Sequence, residues 1–430
     1  MDINWCIRAG LERKIVRYMI WKLMKRQARS FRKSLIWLEN TIVVHPFMFH
    51  NPVRVYFGEG AAKHGLEAEL PQVGSRILLA YGGGSIKRNG VYDEIVSLLK
   101  TAGKEIIEFS GITPNPRYSE VQACAKLALE QKVDFMLAVG GGSVIDCVRT
   151  AAVQAMLDED IWEYEAVQHK LPRDAIPMGI VLTLGGTGSD MNWLAGVNYE
   201  EKHEKVTFAG KHAVFNIIDP AYTVSVPTKQ LLTGAFDTLS HYMETYFGKG
   251  SFVSDEIMEA IMRNVIRNAR TIKNDPKNMD ARSELLWDSS LALSGLPGAG
   301  KMSDFQCHSI EHWISGYTDA NHGRTLAVLH PVVYRYICSE APEKFARFAT
   351  EVMSVDTAGR SPLETALAGI DALELFIREL GLPTNFTELG IDVDDAMLET
   401  IADQCRPNPG CCRQLTREDF LTILKTCAGR

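Results

Sequence analysis

The chain has no CxxC pair, no GxGxxG run and no apolar stretch long enough to cross a bilayer. Without a CxxC pair the cysteine-rich zinc modules are excluded. The nine cysteines, at positions 6, 124, 147, 307, 338, 405, 411, 412 and 427, are odd in number and scattered. That pattern suits reduced thiols in a cytoplasmic protein and not a disulfide framework. The missing GxGxxG run excludes the standard Rossmann fingerprint, and the missing apolar stretch leaves no membrane span and no signal-peptide core. Positive charge is also short. The net charge is −7 at pH 7, which disfavours nucleic acid as a partner because a polyanion is repelled by an acidic surface.

The cations that are present gather at one end. Ten Lys and Arg lie in the first 36 residues (Arg8, Arg13, Lys14, Arg17, Lys22, Lys25, Arg26, Arg29, Arg32 and Lys33) against Asp2 and Glu12, a local balance of +8 that leaves −15 on the remainder. Ile7, Leu11, Ile15, Met19 and Leu23 recur at helical spacing, as in a basic amphipathic helix on an anionic membrane surface. Lys22 and Lys25 fall near that stripe, so residues 1–38 read instead as an extension that is not part of the fold.

In composition the chain is ordinary for a globular protein, with 46% hydrophobic and 23% charged residues. From Asn51 onward, apolar strand patterns alternate with helical ones: Val53–Phe57, Ile77–Tyr81, Glu105–Phe109, Phe135–Val139 and Met178–Leu184 as strands, with helices over Val91–Thr101 and about Ser119–Gln131. Such alternation predicts an α/β domain with a parallel sheet over residues 39–228. Beyond Lys229 the texture is long and helical, predicting an all-helical second domain over residues 229–430. A ligand is expected in the cleft between the two.

Two turns stand out in the first domain. Gly82-Gly83-Gly84-Ser85 and Gly140-Gly141-Gly142-Ser143 each sit where an apolar strand becomes a helix. Glycines there let the backbone approach a pyrophosphate, and a helix N-terminus offers unpaired amides with partial positive charge. Ser143 with Asp146 has the spacing of a capping box. Thr183-Leu184-Gly185-Gly186-Thr187-Gly188 follows a third strand in the same manner. The first turn has no carboxylate until Asp93, while Lys87 and Arg88 stand close by, which favours a 2′-phosphate and hence NADP(H), with NAD possible. In the second domain, Asp237 and His241 share a helix face, His308 and His312 do the same, and His322 follows in Asp319-Ala-Asn-His-Gly323. Imidazoles with one carboxylate suit a divalent first-row metal, iron or zinc. Spacing leaves His308, His312 and His322 all open as ligands, with His308 and His312 the pair four apart.

Taken together, these motifs resemble the iron-dependent (group III) alcohol dehydrogenase family, in its butanol dehydrogenase and NADPH-dependent aldehyde reductase branch. Tyr81-Gly-Gly-Gly-Ser85, Gly111-Ile-Thr-Pro-Asn-Pro-Arg117, Gly140-Gly-Gly-Ser-Val-Ile-Asp146, Thr187-Gly-Ser-Asp-Met-Asn192, Gly295-Leu-Pro-Gly-Ala-Gly300 and the two histidine windows carry the resemblance, from about Phe49 almost to the C-terminus. It implies a Rossmann-like domain followed by a metal-binding helical domain, the dehydroquinate synthase-like architecture. It also implies Asp237, His241, His308 and His322 as metal ligands and His312 as a catalytic residue beside the nicotinamide. Gly141, Gly142, Ser143 and Asp146 would hold the pyrophosphate side, and Thr183, Leu184, Thr187, Asn192 and Lys205 would line the cofactor, besides Gly82, Gly83 and Ser85. A homodimer paired through the strand near Val53–Phe57 and a small primary alcohol or aldehyde as substrate complete it. Asp190, Arg149 and Phe305 depart from the common Glu, Lys and Trp of that family. Two rivals remain: a dehydroquinate synthase-type lyase, and a non-catalytic metal or dinucleotide sensor.

Overall fold

The computed structural model describes residues 44–430; the basic extension over residues 1–38 lies outside them. The first domain is built on six strands: β1 (Arg54–Phe57), β2 (Arg76–Gly82), β3 (Glu105–Ile112), β4 (Phe135–Gly140), β5 (Met178–Leu182) and, after a hairpin made of β6 (Leu194–Tyr199) and β7 (Glu204–Ala209), β8 (Phe215–Ile218). They pair in the order β1-β8-β5-β4-β2-β3, parallel throughout. The strand segments read from the sequence all appear, within a few residues of the expected bounds. Two pieces are additional: β8, in the interior of the sheet, and the β6–β7 hairpin, paired antiparallel outside it.

Alternation along the strands creates two cores. Ile77, Leu79, Tyr81, Phe135, Leu137, Val139 and Ile217 face one side and meet α1 (Ala61–Glu69) and, beyond the short α2 (Ser85–Arg88), α3 (Val91–Thr101). Leu78, Ala80, Met136, Ala138, Ile180 and Leu182 face the other and meet α4 (Tyr118–Glu130) and α5 (Gly142–Gln154). Strands buried on both faces are what a doubly wound sheet requires. The chain runs outward from β2 to β3, then returns to the far side of β2 as β4. The order therefore reverses between β2 and β4, and both glycine turns lie at the carboxyl ends of these two strands, where open parallel sheets bind ligands.

The second domain is helical: α6 (Thr228–Tyr246), α7 (Phe252–Asn274), α8 (Met279–Ala292), α9 (Gln306–Thr318), α10 (His322–Ile337) and further helices ending at Cys427. Its one addition among the described residues is a ribbon of two-residue strands, Lys249–Gly250 against Lys301–Met302. A large apolar cluster packs α6 against α7, α9 and α10, with Phe236, Leu239, Tyr242, Met243, Ile310, Leu326 and Leu329 buried. That packing fixes which faces of α6, α9 and α10 turn toward one another.

Candidate metal centre and cofactor cleft

Three helices deliver the polar groups of the second domain to one point. Asp237 and His241 lie one turn apart on α6, His308 sits in the first turn of α9, and His322 is the first residue of α10. The start of α10 is set by Asn321, whose side chain accepts from the Arg324 amide at 3.2 Å, a satisfied N-cap. Ligand atoms of Asp237, His241 and His308 all fall within 4.8 Å of one another. His322 joins from the side, its Nε2 3.6 Å from Asp237 Oδ1. His312 stands apart from this group, with its ring centroid 6.4 Å from that of His322. Of the three histidines left open by spacing, the geometry thus gathers His308 and His322 and leaves out His312.

Hydrogen bonds select one tautomer in each of the three gathered rings. His241 Nδ1 is 2.8 Å from the Asp237 carbonyl oxygen, which can only accept, so Nδ1 carries the proton. His308 Nδ1 donates to the Glu244 carboxylate, and His322 Nδ1 donates to Glu311 Oε2 at 2.6 Å. Every Nε2 is therefore left with a bare lone pair. Among the described residues, His308 Nε2 and Asp237 Oδ1 are buried without any hydrogen-bond partner. Lone pairs and a carboxylate oxygen that converge without a donor between them repel one another unless a cation sits there. The donor set fits a divalent metal. Burial also keeps two of the rings neutral, pushing His241 down to about 4 and His308 to about 3, with the neighbouring His322 adding to the latter.

The sequence reading missed two carboxylates behind these rings. Glu244 is fully buried and accepts from the backbone amides of Cys307 and His308. Glu311 is equally buried. Burial alone would raise its carboxyl, but its contacts with His322 and Lys205 hold it well below the usual range. A signal for Glu244 was present: it follows Asp237 and His241 at seven and three residues along α6, on the same helix face. Phe305, in the left-handed region at φ 48°, places its ring 5.2 Å from that of His308 and 6.2 Å from that of His241, covering the cluster with apolar surface.

Across the cleft, the glycine turns have their own steric logic. A Cβ on Gly142 would lie 2.3 Å from Thr187 Oγ1, and one on Gly141 3.4 Å from Leu184, so the β4 turn and the Thr183–Thr187 segment are packed edge to edge. Thr183 is held by its amide to the Gly140 carbonyl at 3.0 Å. Gly83 opens on free space, whereas a Cβ on Gly82 would press on the Ile112 carbonyl at 3.2 Å; Ser85, next to them, is exposed. The capping box expected from Ser143 and Asp146 does not form. Helix α5 begins at Gly142 with Gly141 as N-cap and no side-chain cap, and Asp146 accepts instead from the Gly196 amide at 3.1 Å, tying α5 to β6. Asn192 spends both ends on nearby backbone, Gly188 O at 3.2 Å and Leu194 N at 2.8 Å. Arg149 is turned inward, donating to the carbonyls of Ser189, Leu194 and Lys211 at 2.6, 2.9 and 3.2 Å, so it clamps loops and does not face a phosphate. Asp190 is likewise internal, accepting from Asn216 and Ser290 at 2.6 Å each.

Lys205, on β7, crosses the cleft. Its Nζ lies 3.3 Å from Glu311 Oε2 and 3.2 Å from His322 Nδ1, joining the nucleotide side to the metal side.

Comparison with known proteins places both halves of the chain in one family. Residues 52–220 match the iron-containing alcohol dehydrogenase domain, and residues 231–428 match the C-terminal domain of the Fe-containing alcohol dehydrogenase family. The chain belongs to the iron-containing alcohol dehydrogenase family. It is thus an oxidoreductase of the alcohol dehydrogenase class, which works with a nicotinamide cofactor and a metal. It is 39% identical over 385 residues to a probable NADH-dependent butanol dehydrogenase of Bacillus subtilis, covering 88% of this chain and 98% of that one. It is 36% identical to the NADPH-dependent aldehyde reductase YqhD of Escherichia coli over 80% of this chain and 89% of the relative. The crystal structure of NADH-dependent butanol dehydrogenase A from Thermotoga maritima superposes with a TM-score of 0.84 at 34% identity, covering 90% of this chain and all of that one.

Proposed function

We propose that the protein transfers hydride between NADP(H) and a small primary alcohol or aldehyde of the butanol/butanal type. The observation that carries this reading is the gathering of Asp237 Oδ1 with the imidazoles of His241, His308 and His322, in a chain whose parallel sheet carries two glycine turns at its switch point. Asp237, His241, His308 and His322 would hold the metal, iron by family and zinc as the other ion this donor set accepts. The metal, when bound, supplies Lewis-acid polarisation of the substrate oxygen.

The remaining work falls to the chain. Amides at the start of α5, freed by Gly141 and Gly142, bind the pyrophosphate, with Ser143 beside them. Thr183, Leu184 and Thr187 line the floor under the nicotinamide side, while Asp146 and Asn192 keep the surrounding loops in shape. Gly82, Gly83 and Ser85 receive the adenosine ribose. No carboxylate stands in that turn, which favours a 2′-phosphate; the Bacillus and Thermotoga relatives named above bear NADH in their names, so NAD is the second reading. His312 is half-buried, and burial followed by the charge of Lys205 depresses its pKa, so its neutral ring can accept the proton that the alcohol releases and, in the reverse direction, relay one from water to the substrate oxygen.

Assembly and location extend the proposal. Strand β1 is an edge of the sheet, bonded only to β8 among the described residues, and exposed Phe57 at its end stacks edge-on against Trp287 at 5.8 Å. That edge suits a homodimer. All eight cysteines among the described residues are free, in keeping with the reducing cytoplasm, and no helix there is long and apolar enough to cross a membrane. Net oxidation of NADPH by butanal separates the enzyme from its rivals: a lyase of the dehydroquinate synthase type returns its cofactor unchanged, and a sensor turns nothing over.

A further inference from the structure

We infer that Glu311 is a positioning residue for His322, and that Lys205 holds it in place from the opposite domain. The inference rests on the metal-centre reading above. His308 and His241 have supports inside their own domain: Glu244 behind one, and the Asp237 carbonyl behind the other. His322 differs. It is the first residue of α10, without a preceding helical turn to pack on, and it is more exposed than the others, with 20% of its side chain accessible against 5% for His241 and 9% for His308. Its Nδ1 meets Glu311 Oε2 at 2.6 Å and Lys205 Nζ at 3.2 Å, and of these two only the carboxylate can accept the Nδ1 proton.

Glu311 is poorly placed to be a mere surface acid. It is fully buried, sits on α9 between His308 and His312, and its Oε1 has no partner among the described residues. A buried carboxylate needs a cation, and the Lys or Arg in reach among the described residues is Lys205, 3.3 Å away and itself 7% exposed at the side chain. Lys205 comes from β7, so the ion pair spans the cleft. The hairpin is pressed onto α9 at a second point too: a Cβ on Gly316 would lie 2.5 Å from the His203 carbonyl. The α10 ligand is thereby aimed by a carboxylate whose own position is set by the nucleotide-binding domain. Hydrogen-bonded carboxylates behind ligating histidines fix ring and tautomer, and their loss weakens metal binding by about 10–100-fold.

The test is zinc(II) affinity of the full chain, measured by competition with a chromophoric chelator. The variants are Glu311→Ala, Glu311→Gln, His322→Ala and the double variant His322→Ala/Glu311→Ala. Glu311→Ala is expected to weaken zinc binding about 10–100-fold, and Glu311→Gln, which keeps an acceptor for Nδ1–H, to recover most of it. Because Glu311 acts through His322, removing it from the His322→Ala background should cost nothing further. A merely structural role would cost the same in both backgrounds. Equal losses, or parental affinity in Glu311→Ala, overturn the inference; if Glu311→Ala does not fold, a Gln variant as weak as His322→Ala overturns it. A parent chain that binds no zinc or iron overturns the metal-centre reading itself, a separate outcome.

Discussion

At the scale of single residues, the site is organised by which atoms are left without partners. Asp237 Oδ1 and His308 Nε2 are buried and orphaned, and a buried polar group without a partner costs about 1–3 kcal/mol. A metal removes that cost, so Asp237, His241, His308 and His322 should each be required for metal retention. His312→Ala should keep the metal and lose turnover by about 10²-fold or more, the range for a lost proton-transfer group. Elemental analysis and kcat on the five purified variants decide this; a metal-free His312→Ala beside a loaded His322→Ala would reverse the assignment. Asp288, away from the centre on α8, makes a second prediction. Burial raises its pKa from 3.8 to about 7, so the folded state keeps a proton that the unfolded chain has released. The unfolded state binds fewer protons across that window, so the contribution of Asp288 to stability falls as pH rises from about 4 to about 7. Thermal midpoints measured over this range should fall less steeply in Asp288→Asn, which is neutral at every pH.

At the scale of elements, the turn after β2 is where cofactor choice is proposed to reside. Gly83 is the position to alter, since its Cβ would meet open space while that of Gly82 would press on backbone. Gly83→Asp should move the ratio of kcat/KM for NADPH and NADH toward NADH by about tenfold or more, about 1.4 kcal/mol; an unchanged ratio would remove the turn from cofactor choice. The strands β2, β4 and β5 were legible because each is an apolar run ended by glycine or by a short step to it. Strand β8 was not, being four residues long and followed at once by Asp219-Pro220. Nor was the β6–β7 hairpin, whose turn puts His203 at φ 52° where glycine or asparagine would have signalled it. Glu244 and Glu311 were overlooked for a different reason. A helical carboxylate is usually on the surface; Glu244 at least shares a helix face with Asp237 and His241, but the partner of each acid is a histidine on another helix, which periodicity along one segment does not reveal.

At the scale of the whole molecule, the proposed site draws on both the sheet domain and the helical domain, and Lys205 on β7 reaches Glu311 on α9. The sheet and every residue of the proposed site lie within the described residues, so deleting residues 1–38 should leave activity and solubility nearly unchanged. Aggregation of the shortened chain would show that the segment packs on the body; loss of liposome binding alone would support a membrane-surface role for it. If β1 pairs two subunits, sedimentation should give a dimer, and Val55→Pro, which removes a backbone donor from an edge strand, should shift it toward monomer. The central claim is that this cleft performs metal-dependent hydride transfer. The most direct measurement is the loss of NADPH absorbance with butanal by the purified full chain, before metal removal, after it, and after stoichiometric iron(II) or zinc(II) is returned. The account predicts oxidation of NADPH with butanol formed in equal amount, abolished by metal removal and restored by the ion. Turnover that persists undiminished in the metal-free protein, or no net oxidation of either NADPH or NADH by the fully loaded protein, would contradict it.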